Sequence, residues 1–193
     1  MSKCKVFLTS TAVVALLTGF ARASLIKFSA DAPATWNSSG VVITQQISSF
    51  PAVTTMTAEF AHPSGVYSAG ATYSTFSIHL VAVNDLGWTW TGYELKLSDT
   101  GSADFVPGSY SCADFCEPVK DGGLPHPILL TFERSPGDPG VLDGESAHFY
   151  FDVRVLGAGS HTFELTQTPI PEPATLALLG IGALTLVTRR KTN

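Results

Sequence analysis

Charge is scarce in this sequence. Charged residues make up 14% of the 193, against roughly 25% in ordinary soluble domains, and the balance is acidic, with a formal net charge of −5. A general nucleic-acid binder needs a basic footprint, so that class is excluded. Glycine and proline together reach about 15%, too little for a collagen-like or low-complexity chain. Internal repeats are absent, which argues against a solenoid or a propeller. Catalytic signatures are missing too: there is no H-E-x-x-H, no phosphate-cradling glycine loop and no dinucleotide fingerprint. Gly144-Glu145-Ser146-Ala147-His148 is near a nucleophile elbow but ends in His where Gly is required, and it precedes a strand instead of a helix. The expectation is a non-enzymatic chain with one folded domain.

What is present is unevenly spread, with apolar residues concentrated at both ends. Met1 to Ala23 reads as a secretory signal peptide: Lys3 and Lys5 form the cationic start, and Val6 to Gly19 form the apolar stretch. Ala21-Arg22-Ala23 then places cleavage between Ala23 and Ser24. A second apolar run, Ala174 to Thr188, is followed by Arg189, Arg190 and Lys191. As a helix its fifteen residues rise about 22 Å, short of the roughly 30 Å of bilayer hydrocarbon. Cations just beyond an apolar helix follow the positive-inside rule, so the segment between the two ends is placed outside the cytoplasm.

Pro171-Glu172-Pro173 stands immediately before this second run. Tripeptide, short apolar helix and arginine-rich end together resemble the PEP-CTERM sorting signal of Gram-negative bacteria. Ile170 stands where that family often has Val. The resemblance covers Pro171 to Asn193 and implies a transient inner-membrane anchor processed by an exosortase, an integral-membrane enzyme with a catalytic cysteine. It implies that Pro171, Glu172 and Pro173 form the recognition element and that Arg189 and Arg190 form the retention cluster. It also implies a cell-surface or extracellular destination in an exopolysaccharide or biofilm setting. Prolines disfavour helix in the residues before them, so the tripeptide is expected to be extended, with an unpaired backbone. The domain reading is then signal 1–23, exported domain 24–168 and sorting segment 169–193.

The exported segment carries five cations and fifteen carboxylates, a net charge of −10. Its apolar residues alternate with period two at Met56-Ala58-Phe60, Phe76-Ile78-Leu80, Tyr93-Leu95-Leu97 and Phe149-Phe151-Val153-Val155. Shorter strand candidates are Leu25 to Phe28, Val41 to Ile47, Ile128 to Phe132 and His161 to Leu165. Turn signals such as Asp121-Gly122-Gly123 and Pro136-Gly137-Asp138-Pro139-Gly140 lie between them. About eight short strands predict an all-β fold, an antiparallel β-sandwich of jelly-roll or Greek-key type, flanked by the signal helix and the C-terminal transmembrane helix.

Three groups of residues invite a sharper reading. Cys112 and Cys116 remain after signal removal and read first as a disulfide in an oxidising compartment. The alternative, a metal site completed by His126, has no standard zinc spacing. Trp88 and Trp90, two apart, would share one face of a strand. They are either a stacking platform for exopolysaccharide, assisted by Asn84, Asp85 and Glu94, or part of the core. Asp99 and Asp104, and Asp138, Asp143 and Glu145, sit in turns that offer calcium ligands but lack the EF-hand spacing, so solvated turns explain them equally well. A structural or adhesive protein is the leading function, a carbohydrate-binding module through Trp88 and Trp90 the alternative. A secreted hydrolase with two of the fifteen carboxylates in a cleft stands third.

Overall fold

The computed structural model describes residues 25–37, 40–66, 72–98, 103–115, 127–134 and 137–172. Among these residues there is no helix, only strands: β1 (Leu25–Ala30), β2 (Ala34–Asn37), β3 (Gly40–Ile47), β4 (Ala52–Phe60), β5 (Gly65–Val66), β6 (Thr72–Asn84), β7 (Trp90–Leu97), β8 (Ala103–Phe105), β9 (Ser111–Cys112), β10 (Leu129–Glu133), β11 (Ser146–Leu156) and β12 (Gly159–Pro171). The period-two pattern has the cause expected of it. Along β11, Phe149, Phe151, Val153 and Val155 are buried while His148, Tyr150, Asp152 and Arg154 point the other way.

One sheet has five strands in the order β1-β4-β12-β7-β10, and the other has seven, following β2-β3-β6-β11-β8 with β5 and β9 attached. Pairing is antiparallel with one exception. β3 runs parallel to β6, from Val41 opposite Ile78 to Ile47 opposite Asn84. Between them the chain crosses to the five-stranded sheet as β4 and returns, so the antiparallel sandwich expected from the sequence contains this one parallel pair among the described strands.

The two sheets meet through aromatic rings. Phe76 on β6 lies 5.6 Å from Phe60 and 6.1 Å from Phe163, ring centre to ring centre. Phe149 on β11 lies 4.7 Å from Tyr93 and 4.9 Å from Phe132. Rings of this size, fully buried, each contribute on the order of 1.5–3 kcal/mol by leaving water. One polar cluster interrupts the apolar layer. The Tyr93 hydroxyl donates to Gln167 Oε1 at 3.0 Å, and Gln167 Nε2 donates to Thr54 Oγ1 at 3.2 Å and to Gln45 Oε1, which also accepts from Thr54. Gln45 belongs to β3, so this cluster ties the two sheets together.

Several expectations fall outside the described residues: the signal segment 1–23 with Ala23 and Ser24, the apolar run 174–188, Pro173, Arg189, Arg190, Asp99, Cys116 and His126. Among the described residues, no helix is long and apolar enough to cross a membrane.

Candidate functional site

The last strand runs further than its sequence suggested. β12 pairs with β4 from Gly159 to Gln167 and with β7 from Leu165 to Pro171. Pro169, Ile170 and Pro171, read from sequence as the start of the sorting segment, therefore also complete the five-stranded sheet. Past Gln167 the strand has outrun β4 and has a neighbour on the β7 side alone. That is edge-strand geometry, where a sheet tolerates residues without an amide donor. Extended backbone was expected at Pro171, and it is extended. It is not unpaired: Pro171 lies opposite Trp90 after a register shift.

Two side chains fasten this end. Thr91 Oγ1 lies 3.3 Å from the Ile170 carbonyl oxygen and 3.2 Å from that of Pro171, donating into this pair of acceptors. Arg134 Nη1 reaches Glu172 Oε1 at 3.2 Å. The same nitrogen donates to the Asp138 carbonyl at 2.9 Å, and the Arg134 amide donates to Thr91 O at 3.0 Å. The loop that supplies the Asp138 carbonyl is itself pinned. Trp90 and Val141 exchange two backbone hydrogen bonds, and Asp138 Oδ1 accepts from the Gly140 amide at 3.0 Å. Gly140 has φ +76° and touches the Trp90 carbonyl so closely that a Cβ there would sit 2.2 Å from its oxygen. Neither Thr91 nor Arg134 was singled out in the sequence. Arg134 follows β10 and abuts a proline- and glycine-rich turn, but nothing local pointed to a carboxylate 38 positions away.

Trp88 and Trp90 do not form a platform. The strand begins at Trp90, whose indole is 0% exposed and packs 5.1 Å from Tyr93. Trp88 precedes the strand, is half-buried, and meets Phe50 edge-on at 5.8 Å. The glycan reading through both indoles is corrected on this ground, because a fully buried ring offers no face to a sugar. Of the three groups proposed to assist, Asn84 is fully buried and donates to the Trp88 and Val141 carbonyls at 2.8 and 3.0 Å. Asp85 accepts from Gln46 Nε2 at 2.9 Å.

Cys112 is a free thiol in this structure, and Cys116, its expected disulfide partner, lies outside the described residues. Burial pushes the Cys112 thiol up to about 12. The acidic turns are already occupied. Asp138, Asp143 and Glu145 accept from the backbone amides of Gly140, Gly87 and Leu142, and Asp104 forms a two-pronged pair with Arg154 at 2.8 and 3.0 Å. Each of these four carboxylates is thus directed at a different local partner. Among the described residues, no three His, Cys, Asp or Glu side chains gather as a metal set.

The outer face of the seven-stranded sheet carries one aromatic group that sequence analysis passed over. Tyr150 is 43% exposed and stacks on His79 at 4.3 Å. His79 Nε2 in turn lies 3.1 Å from His148 Nδ1. Desolvation first, and His148 second, lower the pKa of His79. A shallow groove beside this stack is lined by Asn37, Val42, Ser77, Tyr150 and Asp152.

Comparison with known proteins agrees with the junction and is silent on the rest. Residues 169–191 match the family model of the PEP-CTERM protein-sorting motif. The chain therefore carries that motif, which implies export, membrane-associated sorting and processing by an exosortase-type enzyme. Neither a curated protein nor a solved structure matches the chain.

Proposed function

We propose that the chain is an exported β-sandwich protein of a Gram-negative cell surface or extracellular matrix, held briefly in the inner membrane by its C-terminal helix and released through its sorting motif. Its own role is structural or adhesive, in an exopolysaccharide or biofilm setting. The observation that carries this reading is the sorting motif at residues 169–191, joined without a linker to a two-sheet β domain. A domain whose interior is given over to ring packing is suited to survive outside the cell as a building element. The face for adhesion is the outer surface of the seven-stranded sheet, where Tyr150 offers an exposed ring beside Asp152 and Ser77. The acidic exported segment favours neutral polysaccharide over anionic polymers.

Tryptic mass spectrometry on membrane and secreted fractions of the native host tests the processing. No Lys or Arg lies between Arg154 and Arg189, so the peptide Val155 to Arg189 reports on the whole junction. The expected result is secreted protein beginning at Ser24 whose last peptide stops near Pro171 to Pro173. An intact peptide found in membranes alone would show a plain anchor. Adhesion is tested with secreted protein and host exopolysaccharide. Tyr150→Ala should weaken retention while Trp88→Ala leaves it unchanged, and equal retention of wild type and Tyr150→Ala would remove this face from the account.

A further inference from the structure

We propose that the folded domain holds its own processing signal: Thr91 and Arg134 latch the end of β12, so the processing enzyme engages Pro171 and Glu172 only when that end is released from β7. This rests on the sorting-motif reading above and adds a control step to it.

The latch is built on both sides of the tripeptide's first residue. Upstream, Ile170 is seated against Gly92, where an added Cβ would come within 2.8 Å of the Phe132 carbonyl oxygen and 3.0 Å of Ile170 Cδ1. Gly92 is thus the space Ile170 occupies. At Pro171, the carbonyl faces the Thr91 hydroxyl. Downstream, the Glu172 carboxylate is held by a guanidinium that the loop carbonyl of Asp138 has already aimed. Pinning of that loop to Trp90 means the arginine is oriented before Glu172 arrives.

Reach makes the latch consequential. The apolar run begins at Ala174, three residues beyond Pro171. Three extended residues span at most about 10 Å. With that run in a bilayer, the tripeptide has no slack to loop out into an enzyme's cleft while Pro171 stays in the sheet. An enzyme that cuts a peptide bond must grip extended backbone and reach the scissile carbonyl from one face. Here the strand's β7 side is covered and the Pro171 carbonyl is engaged by Thr91. Opening the end of β12 exposes both, and it leaves the β4–β12 ladder up to Gln167 intact. The device therefore couples processing to a local fraying event, not to unfolding of the domain.

The test is pulse-chase processing of the full chain in its native host, comparing wild type with Thr91→Val, Arg134→Gln and Arg154→Gln. Arg154→Gln breaks the Asp104 pair, far along the opposite sheet, and reports on general destabilisation. Thr91→Val and Arg134→Gln should each speed loss of the tail, together by about tenfold, the factor that corresponds to about 1.4 kcal/mol. Arg154→Gln should leave the rate unchanged. Where the wild-type tail is removed, unchanged or slower processing in both latch variants overturns the proposal, and so does equal acceleration by Arg154→Gln. Hydrogen exchange over residues 168–172 of the unprocessed protein separates the two layers of the argument. Protection in wild type that is lost in Thr91→Val supports the latch even if the host never removes the tail, an outcome that would refute the processing reading alone. Absence of protection in wild type overturns the latch.

Discussion

Replacing Gln167 by Leu tests whether the polar cluster between the sheets is a working part of the core. Gln167 is fully buried, accepts from the Tyr93 hydroxyl at 3.0 Å and donates to Thr54 and Gln45. Leu at this position is similar in size but accepts nothing. Thr54 still has Gln45 as its acceptor, so the group left stranded is the Tyr93 O–H, in a residue with 0% exposure. A stranded buried donor costs about 1–3 kcal/mol, and the apolar gain of the leucine offsets part of it. The net expectation is about 1 kcal/mol, or a fall of roughly 2–4 °C in Tm for a domain of this size. Tyr93→Phe alone strands the Gln167 carbonyl instead and should cost about 1–2 kcal/mol. The double variant strands neither group, so its loss should be smaller than the sum of the singles by about 1 kcal/mol or more. Urea unfolding followed by circular dichroism gives all three values. Additivity within about 0.5 kcal/mol would show that the Tyr93–Gln167 contact carries no coupling and would refute the reasoning.

Burial of the Tyr93 hydroxyl raises its pKa above the ordinary tyrosine value of 10.0, so the folded state holds the proton more tightly than the unfolded chain does. Its contribution is complete below about pH 10 and is lost as pH rises toward the folded value; wild-type stability should therefore fall more steeply above pH 10 than that of Tyr93→Phe, and parallel curves would contradict this. His79 has the opposite sign: with its pKa lowered from 6.5, its contribution is complete above that value and lost as pH falls through the folded one. NMR titration should find His79 below its ordinary value and moved upward in His148→Gln, and an unmoved midpoint would show that His148 has no influence. The Cys112 thiol, pushed up to about 12, should resist iodoacetamide at pH 8 in the native state and react quickly in urea, because the thiolate is the nucleophile. Rapid native labelling would contradict the burial account, whereas native protein with no free thiol at all would establish the Cys112–Cys116 bond.

The long strands were legible because each buries one face. Met56-Ala58-Phe60 lies on β4, Phe76-Ile78-Leu80 on β6, and Phe149 to Val155 on β11, each with the alternation that a half-buried strand requires. β2 was not legible: all four of its residues are exposed, so it leaves no pattern. β8 and β9, of three and two residues, are too short to show one. Parity arguments failed where a strand was assumed to start too early. Trp88 and Trp90 share a face only if both are in the strand, and β7 begins at the second of them. Buried polar residues left no signal either. Thr54, Asn84 and Gln167 occupy inward positions, and partners such as Gln45 for Gln167, 122 positions away, are not visible in the local pattern.

The end of β12 was missed for a reason that bears on its use. Proline is read as a breaker because it lacks an amide donor, and in a central strand it would be one. Pro169 and Pro171 fall where β12 is bordered by β7 alone. The open side of that stretch would otherwise present donors and acceptors to any extended chain, the hazard that exposed sheet edges carry. Two residues without N–H groups blunt this edge against pairing with a second copy, while their fixed φ keeps the backbone extended. The sorting motif's first proline thus serves the fold that precedes it as well as the enzyme that reads it. Blunted and extended, this end of β12 lacks at Pro169 and Pro171 the amide donors a neighbouring chain would pair with, and its prolines disfavour helix in the residues before them.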